Sequence, residues 1–433
     1  MYQRVTIRDT ITTYISQNNI TINKFAELSG IHSATLTRIM KSQQAFNMGH
    51  LDKVTATLGL DKDHFYDSYV DECLHVFAPT WRRIRPFIQC CAEAGRVDCI
   101  RRLVEGLLDD LAYAPMLFEL AEELFDQKYL QAAAVLYENV ALSEKLQHSE
   151  RLAICKFRLF TISVGDDRDD NLTLAVGFEP YIERLKGINQ IEGIKQLMNL
   201  YSALEDWEKT EQLSHDLLRI ASFQYEEDWQ TGCPYQERNC PEYGKYIYIL
   251  YAYLMQSMCY EEKGDYKSAM KMIPFYTNSS GLRETNEAAK RMMQLFQEWG
   301  KANTYLYRVM NGQEETVKEY VNYISDKPGE IFIAVSKIVE AANLYNWNID
   351  AILERFNEYI PYRNNRNQLD KYNKQVYDGQ YEKFQNELAK YYLTRKHIER
   401  SDVSLAGTDL SATFDPERKV IKGKLSVEFE VKF

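Results

Sequence analysis

Over the first seventy residues the apolar positions recur at the spacing of one helix face. Ile7, Ile11, Tyr14 and Ile15 form a first stripe, which Asn18-Asn19 ends. Thr21 stands where it can cap a second helix carrying Phe25, Ala26 and Leu28. Gly30 supplies a tight turn, Ser33 caps a third helix, and Leu36, Ile39 and Met40 face inward. Asn47 and Asp61 are the expected caps of two further helices, with Gly59 as the stop between them. The pattern predicts five short helices before residue 73.

Residues 73–112 read as a bridge that contains the basic cluster Trp81-Arg82-Arg83-Ile84-Arg85. Beyond it helix follows helix, in a recurring unit of about 34 residues. The clearest copy is YLMQSMCYEEKGDYKSAMKMI. Ser257 is the small residue where two helices touch, with Tyr260 beside it. Gly264-Asp265-Tyr266 makes the turn, and Ala269 lets the second helix approach. A weaker copy, LMNLYSALEDWEKTEQLSHDLL, has Tyr201, the turn Glu205-Asp206-Trp207 and Thr210 at the small position. A third, LFELAEELFDQKYLQAAAVLYENVAL, places Ala121, Ala132-Ala133 and Tyr137 comparably, with a shorter turn. Two degenerate copies surround Asn311-Gly312 and Tyr345-Asn346-Trp347, and the interruptions are Gly165–Asn171 and Trp229–Tyr243. The length and pattern are those of tetratricopeptide repeats, so a helical solenoid is expected.

The tail differs. In LSVEFEVKF, Leu425, Val427, Phe429, Val431 and Phe433 alternate with polar residues, which is the pattern of a half-buried strand. With the turn-like Asp415-Pro416-Glu417 before it, it could form a hairpin with Leu410–Phe414. The expected architecture is all-α: a five-helix head over residues 1–72, a bridge over 73–112, a solenoid over 113–400, and a short strand-like tail over 401–433.

Composition agrees with this plan. Of the 433 residues 45% are hydrophobic and 27% charged, enough for a buried core. Ten Pro fit long helices, and 31 Tyr fit helix packing in which ring hydroxyls keep a polar partner. The net charge of −11 argues against a protein that coats nucleic acid along its length. Residues 1–70, however, hold seven Lys/Arg against six Asp/Glu, a net +1, which leaves −12 for the rest. A near-neutral head on an acidic body suits local DNA binding. The eight cysteines sit mostly in helical apolar patterns behind an N-terminus without an apolar leader, so reduced, buried thiols are expected. Only Cys233 and Cys240, in the loop CPYQERNC, invite a bridge. No apolar run approaches the ~20 residues that span a bilayer, and a soluble, cytoplasmic protein is expected.

The strongest chemical signal is INKFAELSGIHSATLTRIMK. A helix-turn-helix needs a small residue where its helices cross, a glycine able to take positive φ, and apolar residues that fix the crossing. Ala26, Gly30, Ile31, Leu36 and Ile39 supply these. With the following helix ending TATLGLD, the segment resembles the five-helix DNA-binding domain of phage-repressor-like (Cro/C1 type) regulators. By recognition-helix geometry and that resemblance, Ser33, Ala34, Thr37 and Arg38 would read base edges. His32, Lys41, Gln43 and Gln44 would contact phosphate. A solvated surface charge is the plainer alternative for Arg38. The Arg82-Arg83-Arg85 cluster is expected to pair with acidic neighbours rather than with DNA. The histidines are scattered, no HExxH, GxSxG, GxGxxG or GxxxxGK occurs, and no metal or cofactor is expected. Carboxylate pairs such as Glu122-Glu123 read as solvated faces.

A repressor-like head followed by tetratricopeptide repeats resembles the RRNPP peptide-pheromone receptors of Gram-positive bacteria and their phages. The resemblance implies a homodimer whose affinity for a double-stranded operator changes when a short signalling peptide occupies the solenoid groove. Receptors of this group hold peptide backbones with inner-helix asparagines. In the repeat frame the matching positions include Asn199, Ser202, Met258, Glu261 and Asn343, each of which could equally be a turn or surface residue. The strand-like tail departs from the group's all-helical end. Two other readings stay open: a solenoid that docks a protein partner, and a phosphatase-like activity as in some solenoid relatives.

Overall fold

The computed structural model describes residues 6–107, 112–145, 149–232, 240–360, 373–396, 413–415 and 420–422. Among them the chain is all-helical apart from two three-residue strands.

The head opens with α1 (Ile7–Gln17), α2 (Ile22–Ser29), α3 (Ser33–Met40), α4 (Met48–Thr57) and α5 (Tyr66–Asp71). Helices this short depend on their ends and on packing. Thr6 accepts from the Asp9 amide while Asp9 accepts from the Thr6 amide, a reciprocal cap on α1. Thr21 caps α2 and Asn47 caps α4 through their side-chain oxygens. Gly30 takes φ +62°, and the amides of Gly30 and Ile31 return to the carbonyls of Glu27 and Ala26. A side chain would strain that left-handed turn. Three local expectations shift. Ser33 is the first residue of α3, and His32 stands at the cap without a side-chain bond. Asp61 opens a turn closed by His64, and α5 begins only at Tyr66. Leu28 is 52% exposed, because Phe25 and Ala26 already fill the inward face of α2.

No break separates head from bridge. Beyond α5 the helix continues into a π-helical turn, Glu72–Val76, followed by α6 (Trp81–Glu93) and α7 (Val97–Leu107). One apolar cluster runs from Ile7 and Phe25 through Phe87 and Leu103 to Leu136 and Cys155.

The body comprises α8 (Tyr113–Asp126), α9 (Leu130–Ser143), α10 (Glu150–Ser163), α11 (Arg168–Phe178), a 3₁₀ turn at Glu179–Arg184, α12 (Gly187–Ala203) and α13 (Trp207–Thr231). It continues through α14 (Tyr246–Glu262), α15 (Tyr266–Tyr276), α16 (Glu287–Met310), α17 (Glu314–Ile324), α18 (Pro328–Tyr345), α19 (Asp350–Arg355) and α20 (Asn373–Lys396). Helices pack mainly on their neighbours in sequence, and the core divides into successive clusters. At the clearest unit Ser257 and Ala269 are fully buried, and the Ser257 hydroxyl donates to the Ala269 carbonyl at 3.0 Å across α14 and α15. Gly264 makes the turn at φ +72°, and Asp265 caps α15. The weaker unit repeats this with Glu205 at φ +61°, Asp206 as the cap and a buried Thr210. Helix α20 packs on α18 and also reaches α12, and Lys383 meets Glu205 in the turn after α12 at 3.2 Å.

The first interruption is shorter than its sequence suggests. Asp167 caps α11 through the amides of Asp169 and Asp170, so the acidic run lies in the helix's first turn, where its positive end favours carboxylates. At the second, α13 runs on to Thr231, and residues 233–239 lie outside the described residues. In the tail β1 (Thr413–Asp415) pairs antiparallel with β2 (Val420–Lys422), Phe414 opposite Ile421. The expected strand at Leu425–Phe433 lies outside the described residues, as does Cys233, and with it any bridge to Cys240. Cys73, Cys90, Cys91, Cys99, Cys155 and Cys259 are free thiols. Among the described residues no helix is long and apolar enough to cross a membrane.

Candidate functional site

Two groups of residues singled out in the sequence lie on separate parts of the molecule. The first is the outward side of α3. Leu36 and Ile39 anchor the helix in the head's core, which turns the opposite face to solvent. His32, Ser33, Ala34, Arg38, Lys41 and Gln43 are exposed, while Thr37 and Gln44 are half-buried. All eight belong to one helix and its two flanks. Among the described residues neither Arg38 nor Lys41 has an ion-pair partner, although the protein carries a net −11.

Beneath this face sits a contact that the sequence does not announce. Arg8 of α1 donates through Nε to the Ile39 carbonyl at 2.7 Å, and its guanidinium grips Glu72 at 2.8 and 3.1 Å. Glu72 also accepts from the Phe46 amide at 3.1 Å. Arg8 thus ties the last turn of α3 to the start of the π-helical turn. Arg8 and Glu72 lie 64 residues apart, so only the fold brings them together.

The basic cluster of the bridge divides. Arg85 pairs with Glu123 at 2.7 Å, as expected. Arg83 instead turns inward, donating to Cys73 Sγ at 3.3 Å near the rings of Tyr69 and Phe77. Arg82 is exposed. Further along, Arg96 meets Asp63, Asp67 and Asp98, and Arg102 meets Asp67 and Asp71, which binds α7 to the end of the head. Asp67, Asp98 and Cys99 are the one group of possible metal ligands among the described residues, and the Arg96 guanidinium already contacts all three.

The second group is spread over α12, α14 and α18. Asn199 accepts from the Tyr251 hydroxyl at 2.7 Å, which joins α12 to α14. Ser202 and Met258 are half-buried. Glu261 accepts from Tyr307 at 3.2 Å and lies 3.4 Å from Lys337 of α18. Burial raises the Glu261 carboxyl above its ordinary range, against the pull of Lys337. For Lys337 the balance is reversed: burial alone would lower its pKa, but Glu261 and Glu340 raise it. Asn343 donates to both the carbonyl and the carboxylate of Glu387, each at 2.8 Å, and so fastens α20 to α18. The Asn199 amide oxygen and the Asn343 amide nitrogen therefore already have partners within the chain. Helical spacing located them, whereas Tyr251 and Glu387, 52 and 44 residues further on, left no local signal.

No protein family, curated protein or solved structure matches the chain.

Proposed function

We propose that this chain is a sequence-specific DNA-binding regulator controlled by a short peptide. In this reading α2 and α3 form a helix-turn-helix, and α8 to α20 form a tetratricopeptide-like solenoid, the plan of the RRNPP receptors. The observation that carries it is the outer face of α3, whose Arg38 and Lys41 are exposed and, among the described residues, unpaired on an acidic molecule. Side chains on the first turns of such a helix reach base edges in the major groove, and an Arg can hold guanine with two hydrogen bonds. Ser33, Ala34, Thr37 and Arg38 are the readers, and His32, Lys41, Gln43 and Gln44 hold the backbone. The acidic body repels phosphate, so DNA is confined to the head. A two-fold symmetric operator calls for a homodimer. The body supplies the sensor, and the packing of α5 on α7 and of α7 on α9 supplies a mechanical path from body to head.

The test is selection of duplexes from a randomised pool by the full chain, followed by footprinting. One recovered motif, protected by the wild type and lost in Arg38→Ala with unchanged circular dichroism, is the expected result. Recovery of no motif, or equal protection by the variant, would overturn the assignment.

A further inference from the structure

A cleft of about 650 Å³ opens between the 3₁₀ turn Glu179–Arg184, the N-terminal half of α12, α13 from Leu213 to Asp228, and Lys245 just before α14. Its size falls within the roughly 300–1,000 Å³ of ligand pockets. Ile194, Leu213, Ile220 and Phe223 supply its apolar lining, and Phe223 is 68% exposed. Among them stands Gln224, only 8% exposed, whose Oε1 has no hydrogen-bond partner among the described residues. A buried amide without a partner is rare, and a ligand N–H that reached it would remove the penalty. Gly187, at the first position of α12, also lines the cleft, and no side chain caps that helix. A helix start of this kind presents amide donors to a carbonyl oxygen.

The charges around the cleft point the same way. Each of its three cations has an acidic partner: Lys186 with Glu150 at 3.4 Å, Arg219 with Asp216 at 2.8 Å, and Lys245 with Asp228 at 2.9 Å. Glu183 and Glu227 line it too, exposed and in no ion pair among the described residues. The site thus offers an apolar wall, an acceptor in want of a donor, backbone donors and two unpaired carboxylates. A peptide group supplies N–H and C=O together, which a simple amine does not.

We propose that this cleft takes a short peptide that joins an aromatic or aliphatic side chain to a cationic group. The inference rests on the reading of the body as a peptide sensor and moves its site away from Asn199 and Asn343, whose amide oxygen and amide nitrogen respectively bond within the chain. The full-length protein is dialysed to equilibrium against two pools of free-amine hexapeptides, read by mass spectrometry. Every member of one pool carries a Phe and a Lys, and every member of the other a Phe and a Glu. The wild type should retain the basic pool about tenfold better, and Gln224→Leu and Glu227→Lys should each lose about tenfold in retention. Asn199→Ala should bind as the wild type does. Equal retention of the pools, or full retention by both cleft variants, overturns the proposal. If Asn199→Ala loses binding while the cleft variants keep it, the cleft is wrong and peptide sensing stands. If the wild type retains neither pool the cleft proposal fails, and the DNA-binding reading is decided separately by operator selection.

Discussion

Arg38 in the head and Arg158 in the body are the same side chain under opposite conditions. Arg158 is buried, its guanidinium donating to both oxygens of Glu122 at 2.9 and 3.1 Å, and Tyr137 donates to the same carboxylate at 2.6 Å. Arg38 is exposed and touches no acid among the described residues. At Arg158 charge holds helices together and is neutralised where it stands. On the outer face of α3 Arg38 is left over among the described residues, and under the proposed reading it is what a charged partner would meet. The tyrosines make the same point: Tyr137, Tyr201, Tyr225 and Tyr307 all send their hydroxyls to carboxylates of the body.

The largest effect that could break this comparison belongs to Arg158. Arg158→Ala leaves Glu122 buried without its cation, and loss of one partner from such a pair costs about 3–5 kcal/mol. Urea unfolding of the full chain should show that loss, and replacing both partners by Met and Leu should recover most of it. If the single variant unfolds like the wild type, charge in the body is not structural. Arg38→Ala is next. It should leave unfolding unchanged and weaken binding to the selected operator by about 1–3 kcal/mol, the worth of a bidentate base contact.

The contrast was only half legible in the sequence. Turn chemistry is local, so Thr21, Asn47, Gly30, Gly264 and Asp265 could be read directly, because a cap or a left-handed turn is decided within four residues. Asp61 misled for the same reason: it has the chemistry of a cap but opens a separate turn before α5. Leu28 misled because helical spacing does not say when an inward face is already full. The exposed face of α3 was readable, since Leu36 and Ile39 fix which side turns away. What made Asn199 and Asn343 plausible ligands was their position, and what engages them is a partner dozens of residues away. Gln224 gave no signal at all, because an unmet hydrogen bond exists only once neighbouring helices have been placed around it.

A third test sets one turn of the head against one of the body. Gly30 and Gly264 sit at φ +62° and +72°, and nothing lies within 4 Å of where a Cβ would stand at either. Alanine at each should therefore cost the same backbone strain, about 1–2 kcal/mol. The stability losses should match, while only Gly30→Ala should also weaken operator binding, since that turn sets the angle at which α3 is presented. Equal binding by both variants would show that the α2–α3 geometry is not what DNA reads.

The smallest effect lies where head and body meet. Arg96 gathers Asp63, Asp67 and Asp98, and its hydrogen bonds hold the Asp98 carboxyl down at about 2. An unfolded Asp titrates near ~3.9. A carboxyl whose folded value is depressed adds stability that is fully present above the unfolded value and disappears as pH falls through the folded one. The contribution should therefore fade between about pH 4 and pH 2. Solvent reaches this network, with Asp98 57% and Asp67 45% exposed, so each pair is worth at most ~1 kcal/mol. The other carboxylates titrate in the same range, and the wild type alone cannot isolate the step. Arg96→Met can: the stability difference between the two proteins should shrink as pH falls across that window. It should also shrink in ~1 M salt, where charges are screened beyond about 3 Å. The penalty of Arg158→Ala, by contrast, comes from a dry pair and should barely respond to salt. A salt response of equal size at both sites would mean that body and junction use charge in the same way, and the contrast between them would be lost.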